Sequence, residues 1–467
     1  MKNVPMTLRP ATLAACLLAA GLLGGCAVGP AYKVPATPQP AAFKEAGPWQ
    51  LAAPADMLER GPWWTLFNDA QLNELAARVR IDNQNVAIAV ANYAAARASV
   101  AQQRASLLPT VTLNGGADRS GGGGSSGNNK SYRLSIGGSW EPDVWGRLRA
   151  GVTGAEASAA ASAADLAAAT LSAQGELAIN YFNLREIDAE RELVQQTIAG
   201  YERVLQITQN RFDAGIAART DVLQAQTQLA QTRTDDLSLE RQRAQLEHAI
   251  AILLGRAPAD FSLPKAPWVA NVPDVPTGVP STLLQRRPDI AAAERLVAAA
   301  NADIGIAQSA YYPAIGLSGS YGTGGPSVSD LFKASTAVWS LGLSAAQTLF
   351  NGGATRAAVA GATARQEAAA ARYKQTVLTA FGDVEDQLAA TRILAQQLVL
   401  RQEASRAADL VEQQILNRYK AGQVSYTEVV QAQATALQAR RSLAQAQADR
   451  QTTAVALIQS LGGGWRN

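Results

Sequence analysis

The second half of this chain repeats the first, and each half closes on the same helical hairpin. Arg211-Phe212-Asp213-Ala214-Gly215 forms a turn, and Thr220-Asp221-Val222-Leu223-Gln224-Ala225-Gln226 opens the helix after it. About 207 positions later the chain reads Arg418-Tyr419-Lys420-Ala421-Gly422 and then Thr427-Glu428-Val429-Val430-Gln431-Ala432-Gln433. Leu107-Leu108-Pro109 is echoed by Tyr311-Tyr312-Pro313, and Leu254-Gly255 by Leu461-Gly462. A duplication this long places function in the assembled shape.

The first residues give the destination. Lys2 and Arg9 precede an apolar run from Ala11 to Leu23, about a dozen residues, too short to span a bilayer and right for a secretory signal core. It ends in Leu23-Gly24-Gly25-Cys26, which resembles the bacterial lipobox. Residues 1–25 therefore read as a lipoprotein signal peptide, and Cys26 as the lipidated start of the mature chain, with N-acyl and diacylglycerol groups. Ala27 stands where aspartate would favour retention at the inner membrane, so the outer membrane is the expected destination.

Composition excludes several activities. Cys16 lies inside the signal, so the mature chain has no possible intrachain disulfide. Of 41 basic residues, Lys2 and Arg9 leave with the signal, and the remaining 39 face 38 acidic ones. That balance gives no basic surface for nucleic acid. One histidine, His248, and one mature methionine, Met57, offer little for metal ligation or nucleophilic catalysis. Gly121-Gly122-Gly123-Gly124 lacks the lysine and following helix of a phosphate loop, and no GxSxG occurs. The chain does not read as an enzyme, and no cofactor is expected apart from the lipid on Cys26.

Residues 26–62 carry seven prolines between Pro30 and Pro62 and read as an extended segment. A similar stretch, 266–280, links a first repeat at 63–265 to a second at 281–467. From Arg147 to Phe212 the chain is free of proline and rich in good helix formers, enough for a helix of about 100 Å. Its twin runs from about Thr355 to Tyr419. Val194, Ile198, Tyr201, Leu205, Thr208 and Phe212 step by four and three, the spacing of a coiled coil. The returning helices repeat one stripe: Val222, Ala225, Leu229, Thr232 and Leu239 in the first, Val429, Ala432, Ala436, Ala439 and Ala446 in the second. Small residues along it let neighbouring helices approach closely.

After Pro109 the period changes to two. Val111 and Leu113 alternate with Thr110, Thr112 and Asn114; Tyr132, Leu134 and Ile136 alternate with Arg133, Ser135 and Gly137, ending at Trp140. In the second repeat Ile315, Leu317, Gly319 and Tyr321 alternate with Gly316, Ser318 and Ser320, and Trp339, Leu341 and Leu343 with Ser340, Gly342 and Ser344. These predict strands at about 110–119, 131–140, 314–323 and 337–347, each near the ten residues of an outer-membrane strand. Four strands cannot close a membrane barrel, and an open edge in lipid leaves backbone groups without partners. The barrel must be shared among copies of the chain, whose number the spacing leaves open.

Four motifs carry a family resemblance. Cys26-Ala27-Val28-Gly29-Pro30-Ala31-Tyr32 resembles the mature start of outer-membrane efflux lipoproteins, and Trp63-Trp64 with Phe67, Asp69, Leu72 and Leu75 is similar to their first motif. Trp140-Glu141-Pro142-Asp143-Val144-Trp145-Gly146-Arg147 resembles their strand-to-helix transition, and Arg286-Arg287-Pro288-Asp289-Ile290 with Glu294 their most specific signature. The likeness is to the lipoprotein branch of the TolC-like outer membrane factors. It implies a homotrimer, with a 12-stranded β-barrel in the outer membrane and an α-barrel tunnel of long coiled-coil helices across the periplasm. It also implies docking to a periplasmic adaptor and an inner-membrane pump, usually of the resistance-nodulation-division type.

The expected function is then a passive exit duct whose controllable step is the repeated turn. The resemblance makes Asp221, Tyr419 and Glu428 the gate candidates: a tyrosine–aspartate contact and an acidic ring. Val424 stands where relatives can carry a basic residue, so no salt-bridge latch is expected there. A plainer role for the acids is helix capping, with Thr220 and Thr427 as N-caps. Type I protein secretion and a structural coiled-coil lipoprotein are the other function classes; the alternating hairpins argue against the second.

Overall fold

The computed structural model describes residues 28–38, 40, 42–45, 61–120, 129–273, 275 and 286–463. The signal peptide, Cys26, Gly121–Gly124 and part of the 266–280 linker lie outside the described residues. Helices α1 (Ala70–Asp82) and α2 (Gln84–Ala105) lead into strands β1 (Thr110–Ser120) and β2 (Asn129–Trp140), then α3 (Arg147–Asp213) and α4 (Arg219–Leu253). The second repeat follows the same order: α5 (Pro288–Ser309), β3 (Ala314–Gly325), β4 (Ala337–Ala346), α6 (Ala354–Lys420) and α7 (Tyr426–Ser460). The duplication is kept to the residue, since α3 and α6 each span 67 residues and α4 and α7 each span 35. No helix among the described residues is long and apolar enough to cross a membrane.

The chain divides into two compact units, and each draws on both repeats. The first comprises residues 1–36, 92–163 and 292–375. It contains one antiparallel sheet in the order β1-β2-β3-β4. Leu113 lies opposite Ile136, and Leu317 opposite Leu343, so the apolar sets of all four strands share one face. Thr112, Ser135, Ser320 and Ser340 share the other, where Ser320 and Ser340 hydroxyls bond at 2.8 Å. Both outer edges, on β1 and β4, have no strand beside them among the described residues.

The strand-to-helix motif is a junction built by capping. Asp143 accepts N–H bonds from Leu148 and Arg149 at 3.0 and 2.8 Å, satisfying the first turn of α3. Arg147 grips Glu141 through two bonds of 2.7 and 3.2 Å. The Trp145 indole stacks on Tyr312 with centroids 4.8 Å apart and gives its Nε1–H to the Pro313 carbonyl at 2.7 Å. The extended N-terminal segment is tied to the same unit: the Tyr32 hydroxyl donates to the Glu294 carboxylate, and Asn301 donates to the Pro30 carbonyl.

The second unit, residues 37–91, 164–291 and 376–467, holds the main apolar core. Trp63, Phe67, Leu72, Leu75 and Val79 pack against Leu177, Tyr181, Phe182 and Leu184 of α3, Ile250 of α4, Leu388 of α6 and Ile458 of α7. Phe67 and Phe182 rings lie 4.9 Å apart. Asp69 caps α1 by accepting from Gln71 and Leu72 backbone N–H, and its other oxygen accepts the Tyr181 hydroxyl at 2.7 Å. Arg287 gives bonds of 2.7 and 3.1 Å to Asp289, one of 3.0 Å to Asp383 and one of 3.2 Å to the Ser460 carbonyl. The arginine-proline-aspartate signature is therefore a structural clasp. Farther along α3, Arg185, Asp188 and Arg191 are all buried: Asp188 pairs with Arg185 on the same helix and with Arg243 of α4, and Arg191 pairs with Asp236 and Glu240 of α4.

Candidate functional site

The repeated turns lie in the second unit and use one solution for reversing a helix. Gly215 and Gly422 adopt φ of +73° and +75°, a left-handed conformation that favours glycine. Ile216 N–H bonds the Arg211 carbonyl and Gly215 N–H that of Phe212; Gln423 and Gly422 do the same to Arg418 and Tyr419. This paired closure is a Schellman motif, and it satisfies carbonyls that a helix end otherwise leaves open.

The expected caps shift by two residues. Helix α4 starts at Arg219 with Ala218 as N-cap and no side-chain cap, and α7 starts at Tyr426 with Ser425 as N-cap. Thr220 and Thr427 are thus the second residues of their helices. The physical reason is visible in the second turn: Ser425 and Glu428 have the spacing of a capping box, whereas Val430 follows Thr427 by three. The exposed Glu428 carboxylate accepts the Ser425 backbone N–H at 3.2 Å and its hydroxyl at 3.4 Å.

Tyr419 is buried, and its hydroxyl bonds Thr208 Oγ1 at 3.1 Å. Arg211 of the first turn stands over its ring, 4.8 Å from the centroid, and donates to its carbonyl at 2.8 Å. Tyr419 also lies 5.7 Å from the Tyr426 ring, in an apolar cluster with Val204, Ala225 and Val429. Burial pushes the Tyr426 phenol well above its ordinary value, and Tyr419, Tyr201 and Asp221 push it further. Asp221 is half-buried; within one chain its charge acts on Tyr426, while Tyr419 is held by Thr208 and Arg211.

Sequence reasoning missed Arg211, Thr208 and Tyr426. The signal was present in the places where the repeats disagree: Arg219 occupies the position equivalent to Tyr426, and Phe212 that of Tyr419. A second missed group lies on α3, where buried Glu186 faces Glu190, Asp449 and Arg441 around a polar cavity of about 430 Å³. Burial, then the Glu190 charge and a hydrogen bond with Glu190, push Glu186 up to about 7.

A family described as outer membrane efflux protein matches residues 75–256 and 279–463, one match in each repeat. The chain belongs to this family. The probable efflux pump outer membrane protein TtgC of Pseudomonas putida is 30% identical over 93% of this chain and 92% of its own length. The pyoverdine export outer membrane protein OpmQ of Pseudomonas aeruginosa is 31% identical, covering 92% of this chain and 94% of its own. The solved outer-membrane channel OprN superposes with a TM-score of 0.85 at 31% identity, over 94% of this chain and all of that one. The expected fold class, long paired helices with two hairpins from a duplicated repeat, is that of these efflux channels.

Proposed function

We propose that this outer membrane efflux protein is the passive exit duct of a tripartite pump that exports small molecules. The observation that carries the reading is the sheet: one apolar face, one polar face and, among the described residues, two unpaired edges. Such a sheet is stable in lipid only when its edges are closed. Three copies, each giving four strands, make a barrel of twelve with its polar face around water and its apolar face against lipid. The long helices continue the wet path into the periplasm, toward a periplasmic adaptor and an inner-membrane pump of the resistance-nodulation-division type. The duct performs no chemistry; the pump drives transport.

In this reading Cys26 carries the acyl anchor, and repeats 63–265 and 281–467 each supply a hairpin and a helix pair. The turns form the entrance at the periplasmic tip. Asp221 and Glu428 from three copies gather six carboxylates around one axis, where like charges repel by about 1–4 kcal/mol per pair at 4 Å depending on the dielectric. Tyr419, fixed by Thr208 and Arg211, holds the turn against that repulsion. The entrance is therefore cation-selective and ready to open when these contacts are lost.

Native mass measurement in detergent should give a trimer; a folded monomer would overturn the reading. In planar bilayers, replacing Asp221 and Tyr419 together by Ala should raise conductance, and Glu428→Ala should weaken cation selectivity. Unchanged currents in both variants would leave these residues as caps and packing only.

A further inference from the structure

Two like charges face each other on the apolar side of the sheet. Arg119 of β1 lies directly opposite Lys130 of β2. Alternation puts Arg119 on the face of Val111 and Leu113, and Lys130 on that of Leu134 and Ile136. Both are exposed. Like charges directly opposed across a strand pair are destabilising unless a counter-charge joins them. Among the described residues neither takes part in an ion pair. The four strands hold one acid, Asp118, and it points to the polar side. Resting on the shared-barrel reading above, we propose that Arg119 and Lys130 together bind a phosphate on the headgroup of an outer-leaflet glycolipid.

Height along the strand identifies the ligand. Lys130 and Trp140 stand ten residues apart on β2 and share a face. At about 3.3 Å per residue they are about 33 Å apart along the strand, and a tilt of about 40° makes this about 25 Å of height. That is the height of the apolar band of an outer-membrane barrel. The Trp140 indole donates to the Leu107 carbonyl at 2.9 Å, next to the end of α2, and so marks the periplasmic boundary. The Arg119–Lys130 pair marks the opposite boundary, with Tyr132 on the same face just inside it. There the long aliphatic stems can lie against lipid while the charged heads reach the headgroups. The outer leaflet of an outer membrane is built of phosphorylated glycolipid, and a phosphate monoester carries nearly two negative charges at neutral pH. A planar guanidinium fork beside a compact ammonium meets both its charge and its oxygens.

The second repeat answers the same position differently. Pro109 corresponds to Pro313, so Arg119 corresponds to Thr323; Tyr132 corresponds to Trp339, so Lys130 corresponds to Ala337. Thr323 and Ala337 are likewise directly opposed, so the two pairs occupy equivalent places in the two hairpins. This second pair is uncharged, and the Thr323 hydroxyl is satisfied by the Leu331 carbonyl at 2.8 Å. The cation nearest in sequence, Lys333, is neutralised by Asp330 at 2.7 Å. The unmet charge therefore belongs to the first hairpin alone. In a closed trimer it recurs three times around the outer rim, once in each copy.

Native mass measurement of the full-length protein in detergent, with added lipid, tests the site. The probe is an acylated diglucosamine carrying two phosphates. Wild-type trimers should take up as many as three copies, and at least tenfold less of the same lipid after its phosphates are removed. Arg119→Gln with Lys130→Gln should lower uptake at least tenfold, while the exchange Arg119→Lys with Lys130→Arg should keep it. Lys333→Gln should leave uptake unchanged. Equal uptake of the dephosphorylated lipid or of phosphatidylglycerol, or wild-type uptake by trimers of the double glutamine variant, would overturn the assignment. Displacement of more than half of the lipid by millimolar inorganic phosphate would make this a site for the free anion and overturn it as well. Absence of trimers in wild type would instead remove the shared barrel itself.

Discussion

The Arg211 guanidinium lies over the Tyr419 ring and donates to the Tyr419 carbonyl, so one side chain from the first repeat clamps the turn of the second. A cation over an aromatic face contributes about 0.5–2 kcal/mol, and a hydrogen bond from a charged donor about 1.5–3 kcal/mol. Arg211→Ala should therefore loosen the tip by about 2–4 kcal/mol, more than Thr208→Val, which removes the 3.1 Å contact to the Tyr419 hydroxyl and a 2.9 Å bond to the Val204 carbonyl within its own helix. Single-channel conductance of the purified protein should rise more in Arg211→Ala than in Thr208→Val. Equal, wild-type currents in both would show that this clamp does not restrain the entrance.

Cys26 sets the second test. Cys26→Ser should abolish incorporation of a fatty-acid probe and leave the signal peptide uncleaved by the lipoprotein pathway. Labelling that persists in the variant would place the lipid elsewhere and end the lipobox reading.

Period decided how much of this was legible in the sequence. The strands were readable because period two is unmistakable in Val111-Thr112-Leu113, and the observed β1 exceeds the expected strand by one residue at Ser120. The long helices were readable because no proline interrupts 147–213, and the repeat set both lengths. The turn contacts were not readable, because Arg211 and Tyr419 are distant in sequence and meet only once two helix pairs lie side by side. The buried charges of α3 were hidden for a related reason. Arg185, Glu186 and Asp188 look like a solvated helix face, and only packing against α4 and α7 makes them interior. Motifs recognised by resemblance, such as Asp69 and Arg287, were legible as positions; their work as cap and clasp needed coordinates.

Asp69 does two jobs with one carboxylate, and substitutions can separate them. Asp69→Ala loses the α1 cap, about 0.5–2 kcal/mol, and leaves the buried Tyr181 O–H without its acceptor, about 1–3 kcal/mol more. Tyr181→Phe keeps the cap and should cost less. Melting followed by helical circular dichroism should rank the apparent midpoints wild type, then Tyr181→Phe, then Asp69→Ala. If the two variants melt together, the cap contributes nothing measurable.

Glu186 makes stability depend on pH in a direction opposite to most carboxylates. Only 4% of the residue is exposed, one carboxylate oxygen has no partner, and burial with the neighbouring Glu190 charge raises its pKa from 4.5 to about 7. Asp449 adds to the shift and Arg441 opposes it. Below pH 4.5 the folded and unfolded chains both hold the proton, so the group has no effect on the slope. Between pH 4.5 and 7 the unfolded chain releases the proton while the folded chain keeps it, so stability falls as pH rises. At about 1.4 kcal/mol per pKa unit, the loss approaches roughly 3.5 kcal/mol above pH 7. Glu186→Gln keeps the shape of the neutral carboxyl and cannot ionise. It should match wild type at pH 4.5 and melt higher at pH 8, and the difference between the two proteins isolates this group from every other titration. Parallel melting profiles for wild type and Glu186→Gln from pH 4.5 to 8 would show that Glu186 ionises freely, with its charge already met by Arg441 or by water in the cavity.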